Sequence, residues 1–414
     1  MNDGLIYDWN QKEQHPRPRR VLLNDETLRD GLQSPSVKAP TIEQKLRILH
    51  LLDRIGIDSA DIGLPGAGPH VVRDVERLAQ EILNCRLQVS ANCAARTVIA
   101  DIQPIADIVQ RTGLPIECCC FIGSSPIRRY AEDWTVDYLQ RCTEEAVGFA
   151  VRQGLSVMYV TEDTTRSDPE TLRSLFSTAI RAGASRICIA DTVGHATPDG
   201  ARAVVRFVKS IVEEHGGSVG IDWHGHRDRD MGTINSIAAI EAGATRVHGT
   251  ILGIGERVGN TPMDLLMVNL VLMGWIERDL THLNDLVQSV SEATGEPIPD
   301  NYPVFGRDAF RTATGVHAAA VVKAFHKEDS DLADTVYSGV PARLVGRSQQ
   351  IEIGPMSGKS NVVFWLERRG LAADDEMVER IFRRAKASTT VLTEQEILRE
   401  IEAARAFATT RLDA

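Results

Sequence analysis

His224 and His226 stand one residue apart in the run Ile221-Asp222-Trp223-His224-Gly225-His226, where a predicted strand opens into a loop. Side chains alternate along an extended chain, so both imidazoles face the same side and can share one ion. Upstream, Asn24-Asp25-Glu26-Thr27-Leu28-Arg29-Asp30-Gly31 closes another predicted strand, and Gly253-Ile254-Gly255-Glu256-Arg257-Val258-Gly259-Asn260 closes a third. Asp30 and Asn260 thereby join the histidines as candidate ligands. Mixed nitrogen and oxygen donors suit Zn²⁺, Mn²⁺, Fe²⁺ or Co²⁺, and Mg²⁺ where waters complete the shell. Arg29 precedes a candidate ligand and can reach an oxygen of a bound substrate, where a cation stabilises charge developing on a carbonyl. Its other reading is a buried ion pair with Asp61, Glu162 or Asp191. The chemistry implied is metal-dependent and acts on a small anionic substrate.

These groups need strand ends to carry them. Strands are predicted at Val21–Asn24, Ser59–Gly63, Leu87–Ala91, Ile116–Ile122, Val157–Thr161, Arg186–Ala190, Val219–Trp223 and Arg246–Thr250. Amphipathic helices are predicted between them, among them Ile42–Ile55, Val71–Leu83, Val136–Arg152 and Pro198–Glu214. Ser167-Asp168-Pro169-Glu170 and Thr197-Pro198 mark helix starts, with proline in the first turn. This alternation predicts an α/β chain, a (β/α)8 TIM barrel over residues 21–275. An open doubly wound sheet would carry a glycine-rich phosphate loop after its first strand, and Asp-Glu-Thr-Leu-Arg-Asp is no such loop. Gly253, Gly255 and Gly259 give GxGxxxG rather than the dinucleotide spacing GxGxxG. A tight loop presenting Glu256, Arg257 and Asn260 is the better account.

In a barrel the active site lies at the C-terminal ends of the strands. Asp30 follows strand one, Glu162 strand five, Asp191 and Thr192 strand six, His224 and His226 strand seven, Glu256 and Asn260 strand eight. After residue 275 the alternation stops. Residues 276–330 are expected to form a helical linker subdomain carrying His317, and 331–414 a smaller, mainly helical C-terminal subdomain. Helices are predicted at Leu280–Thr294, Glu376–Ala387 and Thr393–Phe407.

A formal net charge of −11 excludes nucleic acid as the main partner, which would want a basic face. No apolar run reaches the roughly 18–20 residues of a membrane span. Residues 1–20 are polar, end in Arg17-Pro18-Arg19-Arg20, and read as a surface arm rather than a secretion signal. Seven cysteines without a CxxC pair, three of them in Cys118-Cys119-Cys120, read as buried thiols of a cytoplasmic protein.

The stretch Asp25-Glu26-Thr27-Leu28-Arg29-Asp30-Gly31-Leu32-Gln33, the histidine pair and Gly-Ile-Gly-Glu-Arg-Val-Gly-Asn resemble the signatures of 2-isopropylmalate and homocitrate synthases. Thr161–Glu170, Asp191–Pro198 and Thr314-Gly315-Val316-His317 fit the same family, in order, over most of residues 21–360. The resemblance implies a Claisen-type condensation in which acetyl-CoA loses a methyl proton, attacks a 2-oxo acid, and the thioester is hydrolysed to release CoA. It implies a divalent metal (Zn, Mn, Mg or Co) on Asp30, His224, His226 and Asn260. Arg29 matches the catalytic arginine, Glu162 an active-site acid, and Thr192 a binder of the substrate carboxylate. Glu256 is expected to be catalytic, and Gln33, Arg96 and Arg128 to bind substrate. His317 and Tyr337 match residues of proton transfer supplied by the partner chain, which implies a homodimer. A post-barrel histidine is otherwise a structural one.

Three positions depart from the family pattern. Leu32 replaces a second acid, and Arg227-Asp228 follows His226 where Asn-Asp is usual. Arg128, in Phe121–Tyr130, matches the arginine that holds the distal carboxylate of 2-oxoglutarate in homocitrate synthases; its other reading is a solvated pair with Arg129. Asp30 and the glycine-rich loop lean toward the isopropylmalate branch, so 3-methyl-2-oxobutanoate is the expected substrate and homocitrate synthase the alternative. A leucine-feedback module is expected to be absent. The rivals are a hydroxymethylglutaryl-CoA lyase-like enzyme and a metabolite-binding barrel without turnover.

Overall fold

Leu22–Asp25 (β1) pairs in parallel with both Ser59–Asp61 (β2) and Arg246–Gly249 (β8), so the sheet of this computed structural model closes on itself. The structure describes residues 5–11, 18 and 20–412, with side chains described to residue 404. Arg17 and Arg19 of the expected N-terminal arm lie outside the described residues. Between β2 and β8 run Ser90–Arg96 (β3), Ile116–Gly123 (β4), Val157–Glu162 (β5), Arg186–Asp191 (β6) and Gly220–Gly225 (β7), each parallel to its neighbour. The predicted (β/α)8 barrel is the fold.

The helices around it are Ile42–Arg54 (α1), Pro69–Cys85 (α2), Ile99–Thr112 (α3), Pro126–Glu132 (α4) and Val136–Arg152 (α5). Pro169–Ala182 (α6), Pro198–Glu214 (α7), Gly232–Ala242 (α8), Met263–Leu272 (α9) and Leu283–Thr294 (α10) complete the ring. Their starts obey side-chain capping. Asp168 accepts from Thr171 N at 2.8 Å, Thr197 from Gly200 N at 3.2 Å, and Thr41 forms a capping box with Gln44. Inner helix faces bury Ile48, Leu49 and Leu52 of α1 and Leu172, Leu175 and Phe176 of α6 against the outward strand residues, among them Tyr159 and Trp223.

One strand departs from expectation. β3 is Ser90–Arg96 rather than Leu87–Ala91. Arg86 caps α2 in the left-handed region (φ 54°), and Asp53 takes the amides of Gln88 and Val89, so Leu87–Val89 stay outside the sheet. The strand itself is Ala-Asn-Cys-Ala-Ala, small side chains of weak β preference.

Glu13–Pro297 form one compact unit, and Met1–Lys12 with Ile298–Ala414 the other. The second is mainly helical: Gly315–His326 (α11), Ser330–Thr335 (α12), Lys359–Glu367 (α13), Asp375–Lys386 (α14) and Glu394–Leu412 (α15). A short parallel pair, Arg311–Thr312 with Gln350–Ile351, accompanies them. Val362, Trp365, Leu366, Ile381, Leu392 and Ile397 form its core. Among the described residues, no helix is long and apolar enough to cross a membrane.

Candidate active site

Alternation along each strand divides the barrel interior into two walls. Strands β3 to β6 send Ala94, Cys119, Met158, Val160, Cys188 and Ala190 inward. Strands β7, β8 and the end of β1 send in Asp222, His224, Arg246, His248 and Glu26, all buried. A cavity of about 630 Å³ opens over both walls. Glu26, Arg29, Asp30, Gln33, Glu162, Thr192, His224, His226, Glu256 and Arg257 form its polar lining, and Leu64 and Phe121 extend the apolar side.

His224 lies near the end of β7 and His226 just past it, with their Nε2 atoms 3.2 Å apart. Asp30 Oδ2 stands 3.7 Å from His224 Nε2 and 3.6 Å from His226 Nε2. Ligand atoms bonded to one ion at about 2.0–2.2 Å are spaced at about 3–3.6 Å, so this trio has the dimensions of a metal site. Asp30 Oδ2 is buried without a hydrogen-bond partner, and so is Asn260 Oδ1. Asn260 pairs with His226 in an isolated antiparallel bridge, which brings the fourth expected residue beside the histidines. Its amide nitrogen donates to Ile254 O at 3.1 Å, leaving the oxygen free.

Protonation fits the same use. Burial raises the Asp30 carboxyl, yet the Arg29 guanidinium together with His224 and His226 holds the group below its ordinary value. Burial, with His224 beside it, pushes His226 down to about 4, so its imidazole is neutral near pH 7. His224 Nδ1 donates to Glu26 Oε1 at 3.2 Å, which leaves Nε2 with a lone pair. A second trio, Glu26, His224 and His248, also gathers ligand atoms, but its members satisfy one another by hydrogen bonds. A third, His50, Glu81 and Cys85, lies on α1 and α2, with Glu81 already paired to Arg77. The residues that fit a cation are Asp30, His224, His226 and Asn260.

Arg29 is held by three carboxylates. It pairs with Glu26, with Asp30 at 2.9 Å and with Asp61 at 2.8 Å. The Asp61 pair was one alternative in the sequence, and it coexists with a place on the cavity wall. Thr192 Oγ1 accepts from Asp163 N at 2.8 Å, so its own hydrogen is free to donate into the cavity. The Glu162 carboxyl is raised by burial, against the opposing pull of Arg128.

The glycine-rich loop is a close-packed turn. A Cβ at Gly259 (φ 97°) would lie 1.7 Å from Gly253 O, so no side chain fits there. Glu256 and Arg257 project from it, exposed. Arg257 donates to Asp228 at 2.8 and 3.0 Å and to Thr192 O, tying together the loops after β6, β7 and β8.

Two expected substrate contacts are elsewhere. Arg96 spends its guanidinium on Asp101 at 2.7 and 2.9 Å, is 66% exposed, and is not on the cavity lining. Arg128 pairs with Glu132 at 2.9 Å, stands 3.8 Å from Glu162, lies over Trp134, and is not among the lining residues, although its Nε is buried without a hydrogen-bond partner. His317 and Tyr337 belong to the second unit, where their rings pack at 4.3 Å between centroids. Glu26, His248 and Asp222 carry no role in the sequence reading, although period-two alternation from Arg246 puts His248 on the inner face.

Residues 20–290 match the HMGL-like family. The chain is an HMGL-like enzyme. It is 33% identical to homocitrate synthase AksA of Methanopyrus kandleri over 373 residues, which cover 89% of this chain and 88% of that protein. It is 32% identical to the 2-isopropylmalate synthase of Sulfolobus acidocaldarius over 387 residues, 93% of each. Among solved structures, the HMG-CoA lyase of Brucella melitensis superposes with a TM-score of 0.56 at 17% identity, covering 67% of this chain and 99% of the lyase. That likeness shows the barrel fold.

Proposed function

We propose that this HMGL-like enzyme condenses acetyl-CoA with a 2-oxo acid bearing an apolar side chain, 3-methyl-2-oxobutanoate being the first choice, to give a 2-alkylmalate and CoA. The cluster of Asp30, His224, His226 and Asn260, with two buried unpaired oxygens, carries the reading. A divalent cation held there would polarise the ketone of the 2-oxo acid. Arg29, fixed by three carboxylates, would donate to the ketone oxygen as it gains charge. The Thr192 hydroxyl would hold the substrate carboxylate. Gln33, Glu162 and Glu256 line the same cavity, where Glu162, raised by burial, would handle protons.

In the bond-making step a base takes a proton from the thioester methyl group. The resulting carbon forms a bond to the ketone carbon, whose oxygen takes up a proton. Water then cleaves the thioester, releasing the CoA thiol and a second carboxylate. His317 and Tyr337 of a second copy of this chain are the proposed proton carriers, which makes the working form a homodimer.

The substrate side chain follows from the apolar wall. Leu64, Ala94, Phe121 and Val160 offer no partner to a distal carboxylate, and an unpaired buried charge is costly. Arg128, the cation that could supply one, is not on the lining: it pairs with Glu132, and its Nε stands 3.8 Å from Glu162. Relatives with homocitrate and isopropylmalate synthase names are equally similar, so the proposed choice between them rests on the lining. The lyase reading is disfavoured because the relatives named synthases match beyond the barrel, over about nine-tenths of the chain. The deciding experiment follows thiol release from acetyl-CoA with a panel of 2-oxo acids and Mn²⁺ or Mg²⁺. Release with 3-methyl-2-oxobutanoate supports the reading, and no release with any 2-oxo acid defeats it.

A further inference from the structure

Beneath the proposed metal site, a string of charged side chains runs down the polar wall. Glu26 Oε1 accepts from three donors: His248 Nδ1 at 2.7 Å, His224 Nδ1 at 3.2 Å and Asn24 Nδ2 at 3.4 Å. Its other oxygen accepts from Arg29. The far nitrogen of His248, Nε2, meets Asp222 Oδ2 at 2.9 Å. Asp222 is anchored in turn by Arg186 and Arg246, and Arg246 by Glu117. Glu26, His248 and Asp222 are all nearly inaccessible to solvent.

A carboxylate can only accept, so an imidazole with a carboxylate at each nitrogen carries a hydrogen on both. The surroundings favour that charged form: burial alone would lower the pKa of His248, but Asp222 and Glu26 raise it. The register of the barrel sets this up, since His248 on β8 lies beside Asn24 on β1, two residues before Glu26.

We infer that His248 is a positioning residue: clamped between Glu26 and Asp222, it fixes the Glu26 carboxylate and thereby the tautomer of His224. The inference rests on the proposed use of His224 as a metal ligand. The 3.2 Å bond to His224 is longer than the 2.7 Å bond to His248, so the shorter one holds Glu26 for the longer one. Without His248, Glu26 is free to turn both oxygens to Arg29. His224 Nδ1 then loses its acceptor, and a proton moved to Nε2 occupies the lone pair that a cation needs. Glutamine cannot replace His248, because one amide group does not donate to carboxylates on opposite sides.

The test uses the full chain stripped with chelator and titrated with Mn²⁺, free ion being read by paramagnetic resonance. Co²⁺ absorption reports ligand geometry. His248→Ala and His248→Gln are compared with Tyr159→Phe, a buried change on the outward face of β5 that does not touch Glu26. The expected result is a loss of Mn²⁺ affinity of about 10-fold or more in both His248 variants, with an altered Co²⁺ spectrum and no loss in Tyr159→Phe. Folded His248 variants that bind Mn²⁺ like the parent overturn the inference alone. A parent chain that binds no cation overturns the metal reading beneath it. Nitrogen-15 shifts of labelled imidazoles in the unmutated protein do not depend on variants folding. An Nδ1 proton on His248, facing Glu26, and an Nδ1 proton on His224 are expected, and a His224 protonated at Nε2 alone overturns the inference.

Discussion

His224 Nε2 and His226 Nε2 face each other across 3.2 Å, and Asp30 closes the triangle. His226→Ala should therefore lower Mn²⁺ or Co²⁺ affinity by on the order of 100-fold and abolish thiol release without unfolding the chain. Dialysis against chelator should stop turnover, and added Mn²⁺, Mg²⁺, Zn²⁺ or Co²⁺ should restore it. Full activity after chelation, with metal content checked by elemental analysis, would be incompatible with the proposed site.

The Thr192 hydroxyl is oriented by the Asp163 amide, so its loss should be felt in binding. Thr192→Val is expected to raise KM for the 2-oxo acid by about 10-fold or more, the worth of a hydrogen bond to a charged group, while Thr192→Ser stays close to the parent. Steady-state kinetics at saturating acetyl-CoA separate the two. An unchanged KM in Thr192→Val removes Thr192 from the substrate contacts.

Arg128 is expected to be dispensable for an apolar substrate. Arg128→Gln should keep kcat/KM for 3-methyl-2-oxobutanoate within a few-fold of the parent. The parent should prefer that substrate to 2-oxoglutarate by about 100-fold or more, because the apolar wall leaves a second carboxylate unpaired. A preference for 2-oxoglutarate that disappears in Arg128→Gln would reverse the assignment.

If His317 and Tyr337 act in the partner's site, two inactive variants should complement. His317→Ala and Asp30→Asn, refolded together in equal amounts, should regain about a quarter of parental activity, since half the dimers are mixed and each has one intact site. No recovery from mixtures shown to contain mixed dimers would put both residues to work within their own chain, or out of the reaction.

Asp25 gives stability a pH dependence. Burial lifts its carboxyl to about 7, against hydrogen bonds from Thr27 that lower it. A carboxyl whose folded pKa lies above its unfolded value binds its proton more tightly when folded. Its stabilisation is complete below about pH 4 and is lost as pH rises through about 7, an effect on the order of a few kcal/mol. Asp25→Asn should flatten the fall in unfolding free energy between pH 5 and pH 8, measured by denaturant titration. An equal slope in both proteins would show that Asp25 does not titrate in that window.

How much of this was legible in the sequence depended on where each group sits. Asp30, His224 and His226 lie at or just beyond strand ends, in polar runs that interrupt apolar ones, so their shared rim is legible. Asn260 is placed beside them by its position after strand eight and by the family resemblance, and the turn at Gly259 is what the structure adds. β3 was misplaced because Leu-Gln-Val looks more strand-like than Ala-Asn-Cys-Ala-Ala, and what decides the matter is Asp53 holding the amides of Gln88 and Val89 from another element. His248 and Asp222 lie inside β8 and β7, below the rim, where a buried polar residue has no signal in the sequence that sets it apart from a structural one. The type of Arg128 is visible in the sequence, while its pairing with Glu132 and its place off the cavity lining are not.

The two walls of the barrel interior have unequal freedom to change. On the ionic side each side chain answers to several others, so a single exchange there breaks a circuit. On the opposite side Ala94, Cys119, Cys188 and Ala190 are small and answer mainly to packing. Adding or removing a methylene at these positions would reshape the chamber for a longer or shorter ketone while the reactive end stays as it is.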